Sequence, residues 1–330
     1  MNADACKGIL KSICFVFLWA FHGSFCISQT PQVESAEECA DWFLASWNTL
    51  DRKYACAGEV QVSESDSEGH LTIEWFEIKF IEPSSQKTYH FVESRHIYAN
   101  GENSEMWEKW LKRDKEYFWC MGDYSSELAA VDEKAVDENG NPAIGVVRAL
   151  HTPTVFAYSV VSGSIVDTKY DRKELVEKVF AESSVLSSER NEKDNLVGFF
   201  ARPYSGTEIV FDSKSGWMPV WSRGYFRKNR GSELTRSSFE GVNYETKSKW
   251  EKIGKDQYFP TAITNFVRHI NPKSKTSKTV DLRAAWAVDG IGSEVFSKES
   301  LEEYNKKDGP IIALRESLLT KLETIQLPVK

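Results

Sequence analysis

His70-Leu71-Thr72-Ile73-Glu74-Trp75-Phe76-Glu77-Ile78-Lys79-Phe80-Ile81-Glu82 carries a strand pattern with a fault in it. Leu71, Ile73 and Trp75 alternate with Thr72 and Glu74, which sets three large apolar side chains on one face of a sheet. Phe76, Ile78 and Phe80 continue the alternation on even numbers, so an unbroken strand sends them to the opposite face. A bulge at Trp75-Phe76 restores one common face and bends the strand. The expectation is a strongly curved antiparallel sheet with an aromatic concave side. Its candidate ligand-binding positions are Trp75, Phe80, Phe91, Trp107, Trp119, Phe211 and Trp221.

The flanking sequence extends this pattern in both directions. Ser35-Ala36-Glu37-Glu38 reads as a capping box, followed by Ala40, Phe43, Leu44, Trp47 and Leu50 at helical spacing. Tyr54 to Glu64 alternates through Cys56, Val60 and Val62, and Ser65 to Gly69 turns the chain into the faulted strand. Further strands hold Tyr89 and Phe91, then Met106 to Leu111, then Tyr117 to Trp119, with Asn100-Gly101 as a tight hairpin turn. Residues 54–120 thus read as an up-and-down meander.

From Met121 to Asn141 the composition turns acidic and polar, and residues 121–182 as a whole read as a lid or insertion in the meander. Strands resume over 183–189, 196–204, 207–212, 217–226, 234–243, 244–253, 258–269 and 278–288, separated by polar turns. The tail is helical over 297–307 and again from Pro310, with a stripe of Ile311, Leu314, Leu318, Leu322 and Ile325. That stripe suits docking on the sheet's edge or outer face.

The first 28 residues read as a signal peptide: Lys7 and Lys11 precede an apolar run from Ser12 to Phe21, and Cys26-Ile27-Ser28 offers a cleavage site. The run is far shorter than the roughly 20 residues of a bilayer span. Bulky Phe25 before Cys26 argues against a lipoprotein cleavage box. Of the 6 cysteines, Cys39, Cys56 and Cys120 lie beyond the signal, with no C-x-x-C spacing or Cys/His cluster. That excludes the usual structural zinc patterns. The net charge of −8 disfavours nucleic acid as a partner. Two basic stretches run against it, and Arg223, Arg227, Arg230, Arg268 and Lys275 form a possible rim for an acidic partner or transient membrane contact.

No motif names a reaction. The chain lacks G-x-S-x-G, and its S-x-x-K matches fall in or beside polar turns. His90 and His96 share a strand face some 20 Å apart, too far for a common metal, and no cofactor is called for.

Taken together, the N-terminal helix running into Tyr54-Ala55-Cys56-Ala57-Gly58, the interrupted meander, the Phe211 to Pro219 turn and Trp250 to Pro260 resemble the outer-membrane lipoprotein carrier (LolA/LolB/RseB-like) superfamily. The resemblance implies an incomplete antiparallel barrel covered by helices, an apolar cavity for acyl chains and no enzymatic activity. It spans roughly Ser35 to Val288, and the long middle segment and C-terminal helices depart from it. The expected organisation is a signal peptide over 1–28, a half-barrel domain over 29–296 and docked helices over 297–330. The leading functional expectation is a periplasmic or secreted binder of a hydrophobic small molecule or lipidated protein. The alternatives are an envelope protein-interaction or regulatory module, and a hydrolase with a site assembled from distant residues.

Overall fold

The computed structural model describes residues 33–50, 52–65, 70–99, 104–122, 128–130, 179–228, 233–254, 257–268 and 277–328. Helix α1, Ala36–Leu50, opens on Ser35, whose Oγ accepts the Glu38 amide at 3.2 Å. The Glu38 carboxylate reaches back to the Glu34 amide at 2.7 Å, so the sequence's capping box forms one residue wider than expected.

The first meander comprises β1 (Lys53–Glu64), β2 (His70–Ile81), β3 (Thr88–Ala99), β4 (Ser104–Arg113), β5 (Glu116–Gly122) and the short β6 (Ala129–Ala130). The second comprises β7 (Ser184–Arg190), β8 (Leu196–Ala201), β9 (Ser205–Asp212), β10 (Met218–Arg227), β11 (Phe239–Ile253), β12 (Gln257–Arg268) and β13 (Ser277–Ala287). Helices α2 (Lys298–Asn305) and α3 (Gly309–Glu323) follow. No helix among the described residues is long and apolar enough to cross a membrane.

All strands join one antiparallel sheet in the order β6-β5-β4-β3-β2-β1-β13-β12-β11-β10-β9-β8-β7. The two meanders are thus stitched together at the centre by β1 and β13, which pair from Ala55↔Ala287 to Glu64↔Lys278. The ends, β6 and β7, are not neighbours, so the sheet is mainly β, meandering and unclosed, as the sequence led one to expect.

The expected bulge at Trp75-Phe76 is absent. β2 pairs with β1 without interruption from Lys53↔Phe80 to Ser63↔His70, and with β3 from His70↔Ala99 to Ile81↔Thr88. The two apolar triplets therefore do face opposite ways, and both sides are covered. On the front, Ile73 and Trp75 join Tyr54, Cys56, Leu282 and Trp286 in one apolar cluster that extends to Ala36, Cys39, Ala40 and Phe43 of α1. On the back, Phe76 and Ile78 join Phe91, Ala285 and Ile291 beneath Ile311, Leu318 and Leu322 of α3. Each large side chain so buried stabilises the fold by about 1.5–3 kcal/mol.

Small residues decide where α3 lies. Ala55, Ala57 and Ala285 form the back of the central strands, all fully buried, and α3 crosses β1 and β13 there rather than at the sheet's edge. Register shifts occur in the second meander instead, at Val185/Ser187, Pro219/Trp221, Gly224/Tyr225/Phe226 and Lys249/Trp250. The segment expected to break into strands 234–243 and 244–253 is the single strand β11. Gly241, at φ 70°, takes up an irregularity in it. The proposed lid over 121–182 lies outside the described residues apart from its ends. At the second of these, Val179 joins the front cluster and Phe180 packs edge-on to Phe43 and Phe200.

Candidate functional site

The registers divide six of the seven expected ligand-binding aromatics between the two faces. Trp75 and Phe211 belong to the front cluster. Phe80 and Phe91 belong to the back cluster, and Trp107 lines a cleft on the back. Trp221 lies between Pro219 and Arg223 on β10, next to Ser222, which pairs with front-facing Thr246; it therefore points to the back, where its Nε1 donates to Glu245 at 3.1 Å. The Trp119 side chain lies outside the described residues. A single concave aromatic wall built from all seven is therefore not what the strands make, because odd and even positions of unbulged strands separate.

The front face of β1–β4 is a different aromatic wall. Trp75 lies flat across β1 because position 58 is glycine, where a Cβ would come within 2.2 Å of the indole. Val92 and Trp110 carry the wall onward through the pairs Glu77↔Val92 and Val92↔Trp110, and all three apolar side chains are buried. Glu77 sits among them with no exposure, accepting from Tyr54 Oη at 2.6 Å and meeting His90 Nε2 at 2.5 Å. His90 stands edge-on to the Trp110 ring, with centroids 4.7 Å apart. The Trp110 Nε1–H is buried and has no hydrogen-bond partner. Helix α1 reaches β7, β8, β10 and β12, on the other side of the central pair.

Trp110 and His90 were in the expected strands but not in the expected site. Trp107 and Trp110 are three residues apart, so a strand shows them to opposite faces, and that parity was the available signal.

The back face holds a cleft of about 290 Å³ between β1–β4 and α3, lined by Glu59, Glu74, Glu93, Arg95, Trp107 and Arg315, among others. Glu93 is buried there, accepting from Tyr304 Oη of α2 at 2.7 Å, with Arg315 Nε of α3 at 3.6 Å and Lys109 directly opposite in register. Burial pushes the Glu93 carboxyl above its usual value, against the Tyr304 hydrogen bond and the Arg315 and Lys109 charges. Arg95 is clamped between Glu74 and Glu105, over the Trp107 ring.

Of the expected basic rim, the two members whose side chains are described both find partners within the chain. Arg223 pairs with Glu245 at 2.7 Å, and Arg227 donates to the Pro203 carbonyl at 2.8 Å. Arg230, Lys275 and the Arg268 side chain lie outside the described residues, as do His151 and His269.

Hydrolytic chemistry finds little footing among the described residues. Ser94 Oγ and His96 Nε2 are 3.2 Å apart, and burial lowers the His96 pKa, as a base would need. Ser94 is nevertheless 1% exposed on a strand paired on both sides, so its neighbouring amides are committed to the ladder instead of an oxyanion. Cys39, Cys56 and Cys120 are buried thiols that form no disulfide with one another. Burial pushes the Cys39 thiol up to about 12 and raises Cys56 and Cys120 as well. A thiol with raised pKa is almost wholly protonated at pH 8, so folded protein should react with a disulfide reagent at least about 100-fold more slowly than unfolded protein. A rapid single-thiol phase in the native state would contradict this burial.

No family model matches the chain, and no curated protein matches it. Among solved structures it is similar to a LolA superfamily protein from Nitrosomonas europaea, at 10% identity over 79% of this chain and 98% of that one, with a TM-score of 0.30. It is also similar to a putative outer membrane lipoprotein-sorting protein domain from Vibrio parahaemolyticus, at 10% identity over 80% and 99%, with a TM-score of 0.32. A third likeness is to LprF from Mycobacterium bovis, at 9% identity over 79% and 97%, with a TM-score of 0.27.

Proposed function

We propose that this chain is a periplasmic or secreted, non-enzymatic protein that binds a hydrophobic ligand against the front face of β1–β4. The observation that carries the reading is the band of Trp75, Val92 and Trp110, three buried apolar side chains around Glu77 that end in a buried indole N–H with no partner. An orphaned buried donor costs about 1–3 kcal/mol, a cost that a ligand bearing an acceptor beside its apolar body recovers.

Native mass spectrometry of purified protein should show a bound acyl species, and delipidated protein should take up a fluorescent acyl probe. Trp110→Phe keeps an aromatic ring, though a smaller one, and removes the donor, and should weaken uptake about 3- to 10-fold without changing the fold. Absence of any co-purifying lipid together with no probe uptake would remove the reading.

The back-face cleft favours a second reading, as an envelope protein-interaction or regulatory module. A stoichiometric envelope partner held by the native protein and lost on Trp107→Ala would favour it, since Trp107 lines the cleft.

A further inference from the structure

Strands β9–β12 bring a block of uncharged polar side chains onto the front face. Ser222 pairs with Thr246 and Thr246 with Asn265, while Gly224 lies between Thr207 on one side and Tyr244 on the other. All five polar residues are at most 5% exposed. Glycine at 224 is what joins the two rows: a Cβ there would come within 2.1 Å of the Tyr244 ring. Without it the ring passes over β10 and sets its Oη 3.2 Å from Thr207 Oγ1. The block borders apolar residues on either hand, since Ile209 pairs with Ser222 and Val280 with Asn265, both in the front cluster.

Asn265 is the informative member. Its Nδ2 donates to Thr246 Oγ1 at 2.8 Å, while Oδ1, on a side chain with no exposure, has no hydrogen-bond partner. Turning the amide over exchanges which atom meets Thr246 and leaves the other end unmatched. A fully buried amide with one end unmatched is expensive, and strand residues tolerate apolar replacements well. The arrangement is that of a group waiting for a partner.

We infer that this block is the polar end of the front-face site and selects an uncharged amphiphile head, an ester, amide or hydroxyl group, over a carboxylate or phosphate. The inference rests on the hydrophobic-ligand reading above and names its ligand class. Hydroxyls and a carboxamide both donate and accept, so they can match a carbonyl or an alcohol in either sense. The block supplies no cation, and a carboxylate buried against neutral hydroxyls pays a desolvation cost that no partner offsets. Affinity for chains of equal length should therefore follow head charge.

The test is displacement of the uncharged reporter N-phenyl-1-naphthylamine from full-length mature protein by monoolein or by oleate, both below their aggregation concentrations. Monoolein should displace the reporter at a concentration about tenfold lower than oleate. Asn265→Leu should bring the two together by weakening monoolein, and Thr246→Val should narrow the gap about threefold. Circular dichroism confirms that each variant is folded, and if Asn265→Leu does not fold, Thr246→Val decides. Equal or better displacement by oleate, or a preference that survives the folded variants, overturns the inference and leaves hydrophobic binding standing. If neither reporter nor lipid binds, the front-face reading falls and takes this inference with it.

Discussion

Gly58→Ala should destabilise the protein by about 3 kcal/mol, although alanine is ordinarily the better strand residue. Position 58 lies on β1 between Trp75 of β2 and Ala284 of β13, at the centre of the sheet. The added methyl would sit 2.2 Å from the Trp75 ring, which is 3% exposed and has the front cluster behind it. The ring must leave its place over β1, and its burial is lost with it. Urea unfolding should show a lower midpoint at unchanged slope, since the surface exposed on unfolding is the same. Shrinking the ring in a Gly58→Ala, Trp75→Leu double variant should recover more than half of the loss relative to the sum of the singles. A Gly58→Ala protein within about 0.5 kcal/mol of wild type would mean that Trp75 does not lie across β1.

The same pair shows where the sequence stopped being legible. The alternation on both sides of Trp75-Phe76 was plain, and so was its change of phase. Two structures satisfy that phase change: a bulge with one buried face, or a straight strand buried on both. The choice turns on whether a second helical layer reaches the centre of the sheet. Ile311, Leu318 and Leu322 were visible as a stripe, but their destination depended on Ala55, Ala57 and Ala285, whose small size matters only once β1 and β13 are known to pair. Strand parity could have separated Trp107 from Trp110 at once. It could not have joined Trp110 to Val92, or Asn265 to Thr246, because the register of consecutive strands is set by the length and type of the turn between them, which parity does not give. The break expected between Asn243 and Tyr244 is bridged by β10, whose pairing passes from Gly224↔Tyr244 to Tyr225↔Val242 through a register shift, and a polar stretch alone does not tell such a shift from a turn.

Lys109→Met should be the most damaging change of a single charge, on the order of 3–5 kcal/mol at neutral pH. Lys109 is 1% exposed and lies opposite Glu93, with its Nζ 5.9 Å from the Tyr304 ring centroid. Removing it leaves a buried carboxylate with Tyr304 and Arg315 alone to hold it. The sign of the pH dependence follows from Glu93 itself. Burial raises its pKa in the folded state, so its contribution is fully present below the unfolded value of about 4.3 and is lost as pH rises through the folded value. Lys109 is one of the charges that hold that value down, and without it the loss with rising pH becomes larger. The deficit of Lys109→Met relative to wild type should therefore be small near pH 4 and grow toward pH 8, measured as urea midpoints at matched pH. Adding Glu93→Gln should flatten the difference, since the amide oxygen still accepts from Tyr304 and carries no charge to strand. Because Tyr304 comes from α2 and Arg315 from α3, the weakened variant should also expose residues 297–330 to protease before the sheet unfolds. A deficit that does not change with pH would assign Lys109 to packing of its aliphatic stem rather than to the Glu93 charge.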